Sequence, residues 1–234
     1  MGVHGGPDIV TDELHYAMDP ANKQSYTSGS SNGVSSIAGP VPTGTLGASN
    51  TFSSDNGGCI VFDGSNDHIG MLGTATDLGI NDTSSSFSFS VWFKTGTTSE
   101  KYMFDNFDGS TQDISCRLDG GELELYLRGS SGGIVNAVRY GSYTLNAWNN
   151  AVYNFDSSTS PDTLTVYLNG INTGTSTANF SGHFESGSSF TIGKRPAGGG
   201  QFSGNIACVM LYNKSLTEAE VKQNYHALKP RFGL

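Results

Sequence analysis

Two stretches of the chain alternate apolar and polar residues with a period of two. In SFSFSVWF (86–93), three phenylalanines and a valine share one side, and Ser88, Ser90 and Trp92 share the other. In GELELYLRG (121–129), three leucines lie on one side, and two glutamates, a tyrosine and an arginine lie on the other. A period of two is that of a β-strand with one buried face. The chain is therefore predicted to fold through half-buried β-strands.

Strand-like runs recur along the rest of the chain. They lie at 12–18, 59–62, 151–155, 163–168, 189–193 and 205–213. Asn169-Gly170 is a strong signal for a two-residue hairpin. The last run is apolar on both faces, as expected near the centre of a sheet, with Ile206 opposite to Val209 and Leu211. No helical pattern interrupts these strands, so the predicted fold class is all-β, a sandwich of two antiparallel sheets.

The chain ends in a helical pattern. Thr217 and Glu220 have the spacing of a capping box, and Leu216 and Val221 occupy the hydrophobic staple positions. Pro230 stops the helix.

Length and composition favour a single domain. All-β sandwiches of roughly 200–250 residues commonly form one unit. This chain has 234 residues and 32 glycines, which suits many short strands joined by tight turns. Residues 1–234 are therefore predicted to form one domain, with a core at 12–228, a long surface loop at 25–58 and a C-terminal tail at 229–234.

Charges and cysteines argue against several classes of protein. The net charge of −9 comes from scattered acids, which disfavours nucleic-acid binding through phosphate neutralisation. The three cysteines are far apart and lack CxxC spacing, so neither a disulfide framework nor a zinc site is indicated. The first residues of the sequence lack the basic region and the apolar region of a secretory signal peptide. No apolar run approaches the roughly 20 residues that a membrane-spanning helix needs. We therefore expect synthesis in a reducing cytoplasm, with no signal peptide and no membrane insertion.

Several segments together resemble a known family. They are FDGSNDHI (62–69), FSFSVWFK (87–94), NAWNNAVYNFD (146–156), TVYLNG (165–170), FTIG (190–193) and FSGNIACVMLYNKSLTEAEVKQNY (202–225). In this order they resemble the laminin-G-like domains of the concanavalin A-like lectin/glucanase superfamily, over residues 12–228. The resemblance implies a jelly-roll sandwich with one short C-terminal helix.

A second resemblance concerns the two ends of the chain and one internal stretch. IVTDELHYAMDPANKQSY (9–26), FSSDNGGCIVFDGSND (52–67) and RFGL (231–234) are similar to segments of virion proteins of tailed phages, notably those that infect cyanobacteria. This resemblance implies a structural or adhesive role on a virion. The implied partners are other capsid or tail proteins and further copies of the chain in a homo-oligomer. The tail beyond Pro230 is then predicted to contact the particle, so deleting residues 230–234 is expected to spare folding and weaken assembly.

Calcium is the cofactor that the family resemblance implies, because many relatives carry it at one rim of the sandwich. It takes several oxygen ligands from a compact loop. Two loops offer such oxygens, Asp105, Asn106 and Asp108 in one and Asp63, Asn66 and Asp67 in the other. In the alternative interpretation, these side chains cap the backbone of their own turns. Ala207 also stands where many relatives have an aspartate.

Sugar binding is the second kind of site considered. It needs aromatic faces for stacking and polar groups that fix the hydroxyls. The candidates are Tyr102, Tyr126, Tyr140 and Tyr143. Tyr126 falls on the polar side of its strand. In the alternative interpretation, the tyrosines line the concave sheet or an interface with a partner.

Glycoside hydrolysis needs two carboxylates roughly 5–10 Å apart. Glu122 and Glu124 share a strand face and would lie roughly 7 Å apart. GELELYLRG departs from the E-x-D-x-x-E motif of the laminarinase-type glucanases in this superfamily, since Leu127 stands where the last acid is needed. Solvated strand charges are the favoured interpretation, and no catalytic residue is predicted.

Together these observations favour a non-enzymatic virion structural protein of a tailed phage. It would be a lectin-like sandwich that decorates or cements the capsid or tail surface and adheres to host surface polysaccharide. The alternative is a calcium-dependent carbohydrate-recognition module that binds a host receptor. A glycoside hydrolase is the least favoured class.

Overall fold

The structure, a computed structural model, describes residues 7–27, 33–39, 44–47, 50–70, 73–80, 85–109, 113–128, 136–179 and 189–234. The strands in these ranges are β1 (Leu14–Met18), β2 (Thr45–Gly47), β3 (Thr51–Ser53), β4 (Cys59–Asp63), β5 (His68–Gly70), β6 (Phe87–Lys94), β7 (Lys101–Asp105), β8 (Asp113–Asp119), β9 (Glu122–Arg128), β10 (Asn136–Tyr140), β11 (Asn149–Asp156), β12 (Asp162–Leu168), β13 (Ile171–Ala178) and β14 (Ser203–Tyr212). The helix α1 spans Glu218–Leu228, and 3-10 turns lie at Asp55–Gly57 and Lys229–Phe232.

Two antiparallel sheets form the sandwich. The large sheet has the order β13-β12-β11-β6-β14-β4-β3, with β1 also paired to β14. The small sheet has the order β10-β9-β8-β7, and β2 and β5 form a separate ribbon. Asn169 and Gly170 join β12 to β13 with φ angles of 52° and 77°, as a two-residue hairpin turn requires. The predicted all-β sandwich is confirmed.

The inner faces of the two sheets enclose the main core. The apolar sides of β6 and β9, predicted from their alternation, both lie in it. Phe89 of the large sheet stacks on Phe104 of the small sheet with ring centroids 4.5 Å apart. Phe104 stacks in turn on Phe190 at 4.2 Å. This column of rings ties the sheets to the segment that follows residue 188.

Both ends of the chain cover the outer face of the large sheet. Tyr225 of α1 stacks on Trp92 of β6, with ring centroids 5.6 Å apart. The N-terminal segment is held by a buried chain of hydrogen bonds. The Val10 N–H donates to Asn224 Oδ1 at 2.7 Å, and Asn224 Nδ2 donates to the Tyr212 hydroxyl at 3.0 Å. That hydroxyl donates to the Val10 carbonyl at 3.0 Å, which closes the chain.

Strand β14 is buried on both faces, as predicted, but its alternation is interrupted. A register shift in its pairing with β6, between Ile206 and Val209, marks a β-bulge. Ile206, Val209 and Leu211 consequently all face the main core. Ala207 and Cys208 lie together in the cluster on the outer face. The predicted placement of Ile206 opposite Val209 is therefore wrong, because the bulge inserts one extra residue.

Helix α1 begins with the predicted cap. The Glu220 N–H donates to the Thr217 hydroxyl at 3.3 Å, and the Thr217 N–H donates to the Glu220 carboxylate at 2.9 Å. Leu216 and Val221, the staple residues, share one hydrophobic cluster. The helix ends before Pro230, as predicted. In the described part of the chain, every helix is too short or too polar to cross a lipid bilayer.

The C-terminal tail, predicted to contact a particle, packs against its own domain. Phe232 is 6% exposed and stacks on Trp92 with ring centroids 4.1 Å apart. The Arg231 guanidinium donates to Asp19 Oδ1 at 2.7 Å and to the Gly58 carbonyl at 2.6 Å. The phenyl ring and the guanidinium of the tail are thus engaged inside the domain, and their removal should cost stability.

The predicted surface loop at 25–58 contains regular structure in its described part. Strands β2 and β3 lie in it and pair with β5 and β4. Val34 is fully buried and forms a bridge with Gly44. Tyr26 stacks on Phe52, with ring centroids 5.1 Å apart. This region therefore contributes apolar side chains to the core rather than only covering it.

Candidate ligand-binding face on the small sheet

The outer face of the small sheet carries alternating arginine and aromatic side chains. The three leucines of β9 face the core, so Tyr126 and Arg128 point outward. Arg117 of β8 points the same way, since its neighbours Cys116 and Leu118 are buried in the core. Six side chains form what we call the arginine–aromatic cluster, namely Tyr102, Phe107, Arg117, Tyr126, Arg128 and Arg195.

Arg117 holds one end of the cluster together. Its guanidinium carbon lies 5.8 Å from the ring centroid of Tyr102 and 5.1 Å from that of Tyr126. Its Nε donates to Glu124 Oε2 at 2.8 Å, and its Nη1 lies 3.2 Å from Glu100 Oε2. Burial acts to lower the pKa of Arg117, but the hydrogen bond and the charge of Glu124 outweigh burial and raise this pKa. Arg117 is thus a fixed cation between two rings.

Phe107 lies between the other two arginines, at the opposite end of the cluster. Its ring centroid is 3.8 Å from the guanidinium carbon of Arg195 and 5.8 Å from that of Arg128. Arg195 also lies 5.0 Å from the Tyr102 ring, and Arg128 lies 5.4 Å from the Tyr126 ring. The six contacts therefore close a circle in which each arginine lies between two aromatic rings. Each contact stabilises by about 0.5–2 kcal/mol, and together they restrict the guanidinium groups.

Polar side chains occupy the neighbouring positions on the sheet. Asp105, Ser115 and Tyr126 stand opposite one another on β7, β8 and β9. Asp105 is fully buried, and its Oδ1 accepts from the Phe107 N–H at 2.8 Å and lies 3.9 Å from Arg195 Nε. Ser115 is also fully buried, and its hydroxyl has no hydrogen-bond partner among the residues that the structure describes. The buried polar side chains Asp105 and Ser115 therefore lie beside the cluster on the same sheet.

The loop that carries Arg195 is anchored to the edge of the small sheet. The run 189–193, predicted as a strand, makes isolated bridges instead, one of them between Thr191 and Asp105 of β7. Arg195 Nη1 donates to the Tyr102 hydroxyl at 3.1 Å. These contacts bring a residue far along the sequence onto the face formed by β7, β8 and β9.

The four tyrosines proposed as glycan candidates do not form one site. Tyr102 and Tyr126 both belong to the cluster and are joined through Arg117. Tyr143 is 7% exposed, and Tyr140 is 44% exposed on β10, at the opposite edge of the sheet from β7. Tyr102 is only 2% exposed, so its ring offers no open face to a sugar. Tyr126, half-buried in the cluster, is the candidate that combines partial exposure with ordered polar neighbours.

Buried tyrosines should make the domain sensitive to alkali. Burial raises the pKa of Tyr102, Tyr143 and Tyr212 to about 12 in each case. In the unfolded chain, tyrosine ionises near pH 10. Because the folded-state pKa is raised, the stability that these hydroxyls contribute is complete below about pH 10 and is lost as the pH rises towards 12. We expect tyrosinate absorbance and loss of circular dichroism to develop together in an alkaline titration. Ionisation of these tyrosines with the fold intact would contradict the prediction.

The two strand carboxylates are bound by different arginines. Glu124 is 5% exposed and accepts from Arg117, while Glu122 Oε2 lies 3.3 Å from Arg139 Nε. The prediction that both are solvated is wrong for Glu124, because the register of β8 and β9 places Arg117 directly opposite it. Both carboxylates serve as arginine partners within the small sheet.

The two loops predicted to bind calcium use their oxygens within the chain. Asp63 accepts hydrogen bonds from two backbone N–H groups of its own turn, and Asp67 accepts one from Asp63. Asp105 and Asn106 are fully buried and each accepts a backbone N–H, whereas Asp108 is exposed. Within the described residues, no group of three or more His, Cys, Asp or Glu side chains is arranged to hold a metal ion. The oxygens of Asp63, Asp67, Asp105 and Asn106 therefore accept from backbone groups in this structure, and calcium binding at the two loops stays a prediction.

A polar cavity of about 470 Å³ lies elsewhere on the domain. It is lined by Gly79, Ser85, Ser86, Asp156, Ser158, Asn213, Lys214 and Ser215. Its lysine, Lys214, lies 2.7 Å from both Asp12 Oδ2 and Glu220 Oε1. Lys214 thus ties the N-terminal segment to α1, which is a structural role.

The fold defines a class of protein, the lectin-like β-sandwich domain. A laminin-G-like family model, described as the Concanavalin A-like lectin/glucanases superfamily, matches residues 63–222. The match covers more than half of the chain, and the chain belongs to this family. Comparison with curated proteins gives no match.

Solved structures of low sequence identity share the fold. Domain 4 of AbnA, an extracellular arabinanase from Geobacillus stearothermophilus in complex with arabinotriose, has a TM-score of 0.66 at 19% identity and covers 92% of this chain and 100% of that chain. The binding domain of Paraclostridial Mosquitocidal Protein 1 has a TM-score of 0.67 at 15% identity, and the match covers 91% of this chain and 52% of that domain's chain. The CBM40 of Ruminococcus gnavus IT-sialidase, bound to alpha2,3 sialyllactose, has a TM-score of 0.52 at 14% identity. That match covers 59% of this chain and 80% of the CBM40 chain.

Proposed function

We propose that the chain is a non-catalytic carbohydrate-binding domain and that the arginine–aromatic cluster is its glycan site. The observation that carries this proposal is the closed circle of six cation–π contacts, which fixes hydrogen-bond donors on the outer face of the small sheet. Glycan recognition depends on a few polar groups held in fixed positions beside aromatic surface. The outer face of the large sheet is less suitable, because α1 and the N-terminal segment cover it.

The similar structures support this proposal. Domain 4 of the arabinanase was solved with arabinotriose, and the sialidase module with sialyllactose. Both of these domains have the same type of fold and bind an oligosaccharide. The proposal transfers oligosaccharide binding as a class to this chain, and it assigns the contact to the arginine–aromatic cluster.

The test compares two tyrosine variants on a broad glycan array, followed by calorimetry with the best ligand. Tyr126→Ala removes the ring between Arg117 and Arg128, and we expect it to weaken binding at least about tenfold. Tyr140→Ala is the matched control, since Tyr140 is exposed on the same sheet but outside the cluster. Normal binding by Tyr126→Ala, or selective loss in Tyr140→Ala, would place the site elsewhere. No binding by the wild type across the array would refute the proposal.

Metal removal gives a further check. The cations of the cluster are arginines, so a glycan held there does not require a bound metal. We expect EDTA to leave the affinity measured by calorimetry unchanged. A loss of binding that added calcium restores would favour the calcium-dependent receptor module instead.

We further propose that this domain belongs to the virion of a tailed phage, on the capsid or the tail. The support is the placement of the three stretches that resemble phage virion proteins. Arg231 binds Asp19 Oδ1 at 2.7 Å and the Gly58 carbonyl at 2.6 Å, and Asn56 Nδ2 donates to the Arg231 carbonyl at 3.0 Å. The stretches at 9–26, 52–67 and 231–234 therefore meet at one residue and form a single structural unit.

Mass spectrometry of purified particles tests this location. We expect peptides of this chain in particles that survive density-gradient purification, and an antibody against the domain should label their surface in electron micrographs. Peptides found only in the soluble lysate fraction would contradict the location. That result would leave the glycan-binding proposal intact.

A further inference from the structure

We infer that the glycan bound by the arginine–aromatic cluster is neutral, and that arginine donors and carboxylate acceptors together hold its hydroxyl groups. The inference rests on the proposed glycan site and specifies the chemistry of its ligand. Three observations support it: the pairing of the arginines with acidic residues, the charge balance of the small sheet, and a carboxylate at the rim of the cluster.

Carboxylates accompany two arginines of the cluster. Arg117 Nε lies 2.8 Å from Glu124 Oε2, and Arg117 Nη1 lies 3.2 Å from Glu100 Oε2. Arg195 Nε lies 3.9 Å from Asp105 Oδ1. An anionic ligand would therefore compete with carboxylates that the domain itself supplies.

The other arginines of the small sheet also have acidic neighbours. Asp113 stands directly opposite Arg128 in the register of β8 and β9. Arg139 Nη1 lies 3.0 Å from Asp119 Oδ2, and Arg139 Nε lies 3.3 Å from Glu122 Oε2. Each arginine on this sheet is thus accompanied by at least one acidic residue.

The four strands of the small sheet carry more acidic than basic residues. The basic residues are Lys101, Arg117, Arg128 and Arg139, and the acidic ones are Asp105, Asp113, Asp119, Glu122 and Glu124. The connecting segments 110–112 and 129–135 contain no charged residue in the sequence. The sheet therefore has no excess of positive charge to attract an anion, and the net charge of −9 on the whole chain repels one.

Glu100 places a carboxylate at the rim of the cluster. Its side chain is 44% exposed, whereas that of Arg117 is 14% exposed. The Tyr102 hydroxyl donates to Glu100 Oε1 at 2.9 Å and accepts from Arg195 Nη1 at 3.1 Å. The Glu100 carboxylate and the Arg195 guanidinium therefore flank one hydroxyl, so a ligand that reaches Arg195 also meets Glu100.

A sugar hydroxyl fits this arrangement better than an anion does. A hydroxyl both donates and accepts a hydrogen bond, whereas a guanidinium only donates and a carboxylate only accepts. A carboxylate has about four lone-pair sites, so Glu100 keeps acceptor capacity beyond its contacts with Tyr102 and Arg117. An ionised carboxylate or a sulfate on the ligand cannot donate, and it would lie beside the negative charge of Glu100. Such repulsion is a common source of specificity against a competing ligand.

The experiment uses a broad glycan array and then calorimetry on matched pairs that differ only in acidic groups. Methyl-esterified galacturonan oligosaccharides are compared with the free acids, and dextran is compared with carboxymethyl-dextran. We expect the strongest ligands on the array to be neutral, and the neutral member of a pair to bind at least about fivefold more tightly at about 0.1 M salt. Raising the salt to about 1 M shortens the Debye length from about 10 Å to about 3 Å, so the two affinities should converge.

Glu100→Gln tests the carboxylate at the rim. It removes the negative charge and keeps an acceptor oxygen, so we expect the ratio of neutral to acidic affinity to fall at least about threefold. The ratio is the readout, because a general weakening of the site affects both members of a pair. Glu218→Gln is the matched control, since Glu218 is an exposed carboxylate of α1 that pairs with Lys222. It changes the net charge equally and should leave the ratio unchanged. Thermal unfolding checks that both variants fold.

The possible outcomes distinguish this inference from the proposed glycan site. Equal binding of both members, or tighter binding of the acidic one, with loss in Tyr126→Ala, overturns the neutral ligand and leaves the site in place. A ratio that Glu218→Gln changes as much as Glu100→Gln does overturns the role of the carboxylate at the rim. If no glycan binds to the wild type, on the array or in these pairs, both proposals fail.

Discussion

Replacing Phe232 with alanine is expected to lower the free energy of unfolding by about 3 kcal/mol, as for other phenylalanines removed from packed positions. The Phe232 ring is 6% exposed, and its centroid lies 4.1 Å from that of Trp92 and 4.7 Å from that of Trp148. These are the only two tryptophans in the chain. Urea denaturation followed by tryptophan fluorescence therefore measures this contact directly.

Leu234→Ala is the control for this prediction. It shortens an apolar side chain of the same tail that is 49% exposed, so a change within about 0.5 kcal/mol is expected. If Phe232→Ala were as stable as the wild type, the tail would be free of the domain in solution. It would then be available for the particle contact that the sequence alone had suggested.

Replacing Arg117 with alanine is expected to destabilise the domain by about 3 kcal/mol. The side chains of Arg117 and Glu124 are 14% and 7% exposed, so the variant leaves a buried carboxylate without its partner. It also removes the cation between the Tyr102 and Tyr126 rings, so glycan binding should weaken in the same variant. Differential scanning calorimetry and binding calorimetry on one preparation measure both effects.

Arg139→Ala provides the comparison for a solvent-exposed ion pair on the same sheet. Arg139 lies 3.0 Å from Asp119 and 3.3 Å from Glu122, but its side chain is 41% exposed. Exposed pairs of this kind contribute about 0–1 kcal/mol. Equal losses in the two variants would contradict the assignment of Arg117 as the buried centre of the cluster.

Strong local patterns in the sequence predicted much of the fold. The alternation in β6 and β9 and the capping box at Thr217 each depend on neighbouring residues, and the structure contains all three. Strands β2 and β5 have three residues each, too few for a periodic signal. The bulge in β14 could not be predicted either, because it depends on pairing with β6. The burial of Phe232 in the tail could not be predicted, because the rings that cover it are distant in sequence.

Less of the candidate site could be predicted. Tyr102 and Tyr126 were identified from residue type and strand face, and Arg128 stands beside Tyr126 on the same polar face of β9. Phe107 and Arg195 gave no local signal, since they join the cluster only through the contact of a distant loop with β7. The arginine content offered a usable clue, because all but one of the arginines fall between residues 117 and 195.

The most direct test of the cluster as a glycan site is a titration followed by NMR of the arginine side chains. The chain has five arginines, so five Nε–H signals can be assigned by single substitutions. On addition of the best glycan from the array, the account predicts that the Arg128 and Arg195 signals shift with saturation. The Arg139 and Arg231 signals should stay in place. Saturable shifts confined to Arg139 or Arg231, with Arg128 and Arg195 unchanged, would contradict the central claim.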